Sequence, residues 1–205
     1  MKGGGPMLMG TSTFVVDAAV EGATVLVDRS CGRCGTCRAG AGLWCSVPAA
    51  EGRSVSPRVP VAAAAALRAG VLAAAALLEA PRARTTLVVA EPGSPTAVLA
   101  GRMLDGLVLA APSLTDEAVR AQVAEREPSG RAAVVMAGAD VRSAVRAVRR
   151  GGHVCVVHAS PDSRPSVTEL VQREVTLLAP RQVTPVLDRL SEPDWAAAVA
   201  AVTAA

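Results

Sequence analysis

Four of the chain's five cysteines fall in one short run, CGRCGTCRAGAGLWC, as Cys31, Cys34, Cys37 and Cys45. Thiolates at this spacing can close a tetrahedron around one zinc ion, a demand that fixes the local path of the backbone more tightly than any other feature of the sequence. Gly32, Gly35, Gly40 and Gly42 supply turns that a side chain would obstruct. A zinc with four protein ligands has no position left for water or substrate, so the site reads as structural rather than catalytic. A disulfide pair and an iron–sulfur cluster are the competing uses of the same residues. Four thiolates on a dication leave about two negative charges in excess. Arg29, Arg33, Arg38 and loop N–H groups are placed to offset them. Cys155 stands apart, inside an apolar strand pattern, and reads as a small core hydrophobe.

The apolar half of the composition is mostly alanine and valine, with one Phe, two Trp and no Tyr. Small aliphatic side chains therefore have to build the core, and base stacking on aromatic rings is almost excluded. A net charge of +3 with scattered arginines argues against a nucleic-acid surface. The densest basic group, Arg146, Arg149 and Arg150, reads as a solvated helix end, where cations favour the dipole. Val61 to Ala80 is apolar over the length of a membrane span. Arg68 sits in its middle and alanine contributes little insertion energy, so the segment is expected to be a buried helix. The opening MKGGGPMLMGTSTFVV has no apolar run of the secretory kind, and a cytoplasmic protein is expected.

From Thr85 onward β-branched runs alternate with helical stretches, the pattern of parallel strands joined by crossovers. TTLVVA is a strand, followed by a helix from Pro95 to Leu104 with Ser94 as N-cap and Pro95 in the first turn. GLVLAAP is the next strand, and Ser113 or Thr115 is expected to cap a charged helix reaching Glu127. AAVVMAG is a third strand, and the helix from Val141 to Arg150 stops at Gly151 and Gly152 before the strand HVCVVHA. A last strand is expected at Val175 to Leu178, then a helix around Trp195 laid on the sheet. Before Val61 the chain differs in kind, with the strand-like pieces TFVVDAAV and ATVLVDRS around the cysteine lobe.

EGATVLVDRSCGRCGTCRAGAGLWC followed by a helical connector and a βαβ pattern resembles the zinc-containing alcohol dehydrogenases of the medium-chain dehydrogenase/reductase superfamily. AAVVMAGADVRSAVRAVRRGGHVCVV resembles the family's strand, helix and Gly-Gly turn beside the nicotinamide, and ELVQREVTLLAP resembles the edge strand through which many members dimerise. The resemblance implies an α/β fold: a reduced Rossmann-like parallel sheet with helices on both faces, plus a small β and zinc-lobe remnant of a GroES-like domain. Residues 1–60 would form that truncated remnant, and residues 61–205 the connector helix and sheet domain. It further implies a homodimer, with a protein partner or a small-molecule substrate open, and neither nucleic acid nor membrane.

The departures from the family pattern carry the functional expectation. The family places Cys and His ligands of a catalytic zinc upstream of the lobe, where the residues before Cys31 contain neither. A third ligand falls on Val71 by distance to the next strand or on Glu79 by local wording, and Glu79 reads better as an exposed helix-end carboxylate. The GxGxxG fingerprint is matched by Ala90-Glu91-Pro92-Gly93-Ser94-Pro95, in which all three glycines are replaced. The two prolines remove N–H donors and Glu91 adds negative charge, so NAD(P) is not expected, although Gly93 and Ser94 retain a small anion pocket. The second strand ends in Ala110-Ala111-Pro112, without an acid for a ribose. His158 and Asp162 are placed on the carboxyl edge of the sheet as a candidate acid–base pair. A partner subunit or a non-redox lyase, cyclase or isomerase is the expected role, with a minimal NAD(P)-dependent oxidoreductase as the alternative.

Overall fold

The described residues before the first long helix, 13–60, form small antiparallel pieces rather than a closed sheet. In the computed structural model, which describes residues 13–158 and 160–203, these are β1 (Phe14–Val16), β2 (Ala23–Thr24), β3 (Leu26–Asp28), β4 (Arg53–Ser54) and β5 (Val59–Pro60). The sheet order is β1-β3-β4, with β2 paired to β5. The cysteine loop carries a short helix, α1 (Gly35–Arg38), and a 3-10 turn at Gly42–Trp44. The reading of residues 1–12 as lacking a leader lies outside the described residues.

Pro60 ends β5 and the chain enters α2 (Val61–Leu78), whose eighteen residues are alanine and leucine almost throughout. By length and composition α2 could cross a membrane, and among the described residues it is the one helix that could. Instead, 61% of it is buried inside the protein. Its side chains are small because it is packed on several sides. Gly70 shows this directly: an added Cβ would lie 3.0 Å from Leu99 and 3.2 Å from the Pro95 carbonyl.

The remaining elements alternate as the pattern requires: β6 (Thr85–Val89), α3 (Pro95–Met103), β7 (Leu107–Ala111), α4 (Glu117–Arg126), β8 (Val134–Ala137), α5 (Val141–Ala147), β9 (His153–Val156), α6 (Val167–Arg173), β10 (Thr176–Leu178), α7 (Thr184–Leu187) and α8 (Glu192–Thr203). The five strands form one parallel sheet in the order β10-β9-β8-β6-β7. Alternation across the pleat sorts the core into two faces. Val88, Val134, Met136 and Cys155 meet α2 and α3, whereas Leu87, Val135, Ala137 and Val154 meet α4 and α5. A third cluster joins Phe14, Leu26, Leu43 and Val59 of the N-terminal pieces to α2, α3, α7 and α8, so both parts of the chain share one core. Cys155 is fully buried, which pushes its thiol up to about 12.

Several boundaries differ from the sequence expectation. Asp116, not Ser113 or Thr115, caps α4, accepting from the Val119 N–H at 3.0 Å, while the two hydroxyls bond each other at 3.0 Å. A charged oxygen one residue from the first turn outcompetes them for the helix amides. α5 ends at Ala147 rather than Arg150, because the Arg149 N–H leaves the helix for the Ala132 carbonyl. ELVQR belongs to α6, capped by Ser166, Glu174 closes that helix at φ +55°, and only Thr176–Leu178 forms the edge strand. α8 lies on α2 and α3 rather than on the sheet, burying Trp195 in their shared cluster. The basic group is not simply solvated: Arg146 pairs with Glu169 at 2.6 Å and Arg150 with Glu174 at 2.8 Å.

Candidate functional site

The cysteine lobe is assembled by its own backbone amides. Cys34 caps α1, accepting from the Cys37 N–H at 3.5 Å, while the Cys34 N–H donates to the Cys31 sulfur at 3.3 Å and the Cys31 N–H to the Cys45 sulfur at 3.5 Å. All four sulfurs lie within 4.8 Å of one another, with Cys31–Cys37 at 3.9 Å and Cys34–Cys45 at 3.8 Å. A tetrahedral zinc with its usual bond length to sulfur needs sulfurs about 3.8 Å apart, so the donor set and its spacing fit the ion. None of the four is joined in a disulfide. Donation from the Cys37 N–H holds the Cys34 thiol down at about 5, whereas burial, reinforced by the neighbouring sulfurs, pushes Cys37 up to about 12. Four thiolates cannot share this space without a cation among them. Zinc held there would cross-link the lobe and leave no coordination position open. The loop amides supply the charge compensation expected of them; among the described residues, Arg29, Arg33 and Arg38 make no hydrogen bond to a sulfur.

The second feature is a cleft of about 620 Å³ at the carboxyl ends of β6, β8 and β9, between the sheet, α2 and β1. The sheet order reverses direction between β6 and β8, which is where open α/β sheets form their ligand crevice. Val89, Gly138 and Val157 form its floor, Val16 and Leu72 its walls, and Arg68, Thr96 and His158 bring polar groups. The Nδ1 of His158 is buried and finds no hydrogen-bond partner among the described residues. Arg68 donates from Nε to the Phe14 carbonyl at 2.6 Å.

Asp162 lies elsewhere, in a shallow hollow with Asp140, Arg142 and Ser163. Among the described residues no hydrogen bond or ion pair joins it to His158; the Ser163 hydroxyl ties the turn at Pro161–Ser163 to the Ala139 carbonyl at 2.6 Å, and Ala139 lines both the hollow and the cleft. Glu79 is the C-cap of α2, about 15 Å along the helix from Ala69 in the cleft wall. Val71 is fully buried in the core. Arg68 is the cleft residue whose role the sequence reading overlooked. Its signal is a single arginine within a run of alanines, which demands a polar outlet on an otherwise apolar helix.

Gly93 and Ser94 form the turn into α3, with Gly93 at φ +81°. The amides of that turn are largely committed: Ser94 N–H to the Glu91 carbonyl at 3.0 Å, Ala97 N–H to the Ser94 hydroxyl at 3.4 Å and Val98 N–H to the Ser94 carbonyl at 2.9 Å. Pro95 has no N–H. The amides of Gly93 and Thr96 are the donors here without such a commitment among the described residues.

No protein-family model matches the chain, and no curated protein sequence matches it. Twenty-seven chains of solved structure do. A NAD-dependent alcohol dehydrogenase aligns over 87% of this chain and 68% of its own, at 18% identity and a TM-score of 0.53. Benzyl alcohol dehydrogenase from Acinetobacter calcoaceticus aligns over 88% and 70%, at 16% identity and 0.53. D-arabinose dehydrogenase from Sulfolobus solfataricus aligns over 83% and 69%, at 12% identity and 0.52. With its parallel sheet, its small antiparallel pieces and its four-cysteine lobe, the chain has the fold of the zinc-dependent, medium-chain alcohol dehydrogenases.

Proposed function

We propose that this protein carries one structural zinc on Cys31, Cys34, Cys37 and Cys45 and uses the cleft at the sheet edge for a small molecule without nicotinamide chemistry. It acts either as a non-redox enzyme of the lyase, cyclase or isomerase type or as the ligand-binding subunit of an assembly. The observation that carries this reading is the turn into α3. A pyrophosphate needs several free amides and a close backbone approach at that point. Here the amides of Gly93 and Thr96 are uncommitted among the described residues, Pro95 has none to offer, and Glu91 repels an anion. The cleft itself favours a small-molecule role over an inert interaction module.

His158 is the group in the cleft suited to holding or moving a proton, through the Nδ1 that no protein group engages. Asp162 then serves the neighbouring surface rather than His158. The N-terminal unit lends β1 to the cleft wall, and the carboxyl ends of β6, β8 and β9 supply its floor. Exposed Val167, Val171 and Leu177 beside the edge strand β10 support a homodimer through that edge. A cytoplasmic setting accords with four cysteines kept as thiolates for metal.

A minimal NAD(P)-dependent oxidoreductase is the second reading, favoured by the open left-handed turn at Gly93, where nothing would lie within 4 Å of a Cβ. Titration with NADH and NADPH, followed by fluorescence and thermal shift in zinc-loaded protein, separates the two. No response to millimolar nucleotide supports the proposal; saturable stabilisation at micromolar nucleotide refutes it.

A further inference from the structure

Arg131 is set by the turn between α4 and β8. Gly130 takes φ +64° and its N–H donates to the Glu127 carbonyl at 2.8 Å. The Ser129 hydroxyl accepts from the Arg131 N–H at 3.3 Å and donates to the Arg131 carbonyl at 3.1 Å. From this turn the Arg131 guanidinium reaches the Arg146 carbonyl at 3.0 Å, near the end of α5. That helix end is already capped: from α6, Arg173 donates to the carbonyls of Val145, Arg146 and Val148 at 2.9, 3.1 and 2.8 Å. Two guanidinium groups thus converge on one oxygen where a single cation would serve. Burial first, and then the charge of Arg131, lower the pKa of Arg173. Among the described residues neither Arg131 nor Arg120 has a carboxylate in ion-pair range, and Glu169 is shared by Arg142 and Arg146. Asp140 sits at the opposite end of α5, engaged as its N-cap. Like charges held this close cost stability, and an anion among them relieves that cost.

Beside this convergence lies a hollow of about 270 Å³ between α4 and α5, lined by Arg120, Arg131 and Arg146 over Leu87, Leu114 and Val123. The three arginines come from three elements, α4, the turn before β8 and α5, so they approach from different sides. We propose that this hollow binds a small phosphate monoester, its phosphoryl oxygens taken by Arg131, Arg146 and Arg120 and its organic part over Leu87, Leu114 and Val123. The site is separate from the sheet-edge cleft, with which it shares no lining residue. Tetrahedral phosphoryl oxygens accept from several directions, whereas a carboxylate is satisfied by one planar fork. A dianion also offsets more of the local charge than a monoanion does. The hollow is smaller than ordinary ligand pockets, which confines the ligand to a phosphoryl group on a short or single-ring body.

The test is calorimetric titration of the full, zinc-loaded chain with phenyl phosphate, inorganic phosphate and benzoate at equal ionic strength. Phenyl phosphate is expected to bind at least about tenfold tighter than benzoate, and tighter than inorganic phosphate. Arg131→Gln is expected to weaken phenyl phosphate by at least about tenfold. Its melting temperature without ligand should hold or rise, since Arg173 still caps α5. Arg58→Gln removes the same charge from an exposed position outside the hollow and should leave binding unchanged. Because Arg131→Gln could disturb its own turn, Thr115→Glu provides an independent block: that exposed residue lines the hollow, and the added carboxylate should abolish binding. Equal affinity for phenyl phosphate and benzoate overturns the proposal, as does binding that survives Thr115→Glu, or no binding at millimolar concentration. Equal loss in Arg131→Gln and Arg58→Gln would overturn it too, by assigning the effect to net charge. An Arg131→Gln variant that melts earlier with unchanged affinity would make Arg131 a cap alone, and tighter binding of inorganic phosphate would remove the organic ligand.

Discussion

The indole N–H of Trp44 donates to the carbonyl of Pro180 at 3.1 Å, tying the cysteine lobe to a segment 136 residues further along the chain. The tie is not isolated. The Leu43 N–H reaches the Arg181 carbonyl at 2.9 Å, and the Arg181 guanidinium returns to the Ala39 carbonyl at 2.8 Å. A lobe without a core of its own is thus held from inside by sulfur and from outside by three hydrogen bonds to one segment.

Cutting the outer tie should loosen the lobe without dismantling the sheet. Trp44→Phe with Arg181→Ala removes two side-chain hydrogen bonds and should cost about 1–2 kcal/mol in denaturant unfolding. The more specific readout is zinc release to a colorimetric chelator, which should accelerate in the double variant. An unchanged release rate would mean that the docking contacts do not restrain the lobe.

Zinc removal should act locally. Stripping the metal under reducing conditions, or replacing Cys37 by Ser, is expected to abolish hydrogen-exchange protection across residues 31–45 and weaken it at 180–184. Strands β6, β8 and β9 should keep theirs, since their clusters contain no lobe residue. Global unfolding on metal loss would show that the lobe nucleates the whole core.

Two glycines should respond with opposite signs. A Cβ on Gly152 would fall 2.6 Å from Val148, 2.8 Å from the Ala133 carbonyl and 2.9 Å from the Arg149 carbonyl, so Gly152→Ala should destabilise by at least about 1–3 kcal/mol. Gly101, on the exposed side of α3, meets nothing within 4 Å, and Gly101→Ala should stabilise by about 0.4–1 kcal/mol. Urea titrations of the two variants read both effects.

Asp194 anchors the start of α8, accepting from the Ser191 hydroxyl at 2.6 Å and the Ser191 N–H at 3.0 Å, with Arg102 at 3.2 Å. The Ser191 hydrogen bonds, and then the Arg102 charge, hold its carboxyl below the ordinary carboxylate range. Its stabilising effect is therefore complete above the unfolded-state value of about 3.9 and lost as pH falls through the lower folded value. Asp194→Asn should melt earlier than the native protein at pH 7, and the gap should close on acidification below about pH 4. A gap independent of pH would assign the effect to shape rather than charge.

The parallel sheet was legible because β-branched runs such as TTLVV and HVCV are short, fully apolar and bounded by Gly, Pro and Ser, so few alternatives fit. The Ser94–Pro95 helix start was equally clear, since both residues act within one turn. The limits of α4, α5 and α6 were not, because Asp116, Arg149 and Ser166 compete for caps through contacts that depend on neighbouring loops. The four sulfurs meet as their spacing implies, since their positions are fixed by local backbone. The 161–163 turn is held to Ala139, a contact over 24 residues that no local pattern encodes, and no hydrogen bond between His158 and Asp162 is formed among the described residues. Arg68 enters the cleft only through the packing of α2 on the sheet, and its isolation among alanines was the sole sign of it.

The most direct test of the proposal that this chain holds one zinc and binds no nicotinamide nucleotide is native mass spectrometry of the reduced chain with excess NADH and NADPH. The account predicts one zinc per chain and no nucleotide adduct at any occupancy above the nonspecific background. A species carrying stoichiometric nucleotide at micromolar concentration, or a folded, reduced chain without metal, would contradict it.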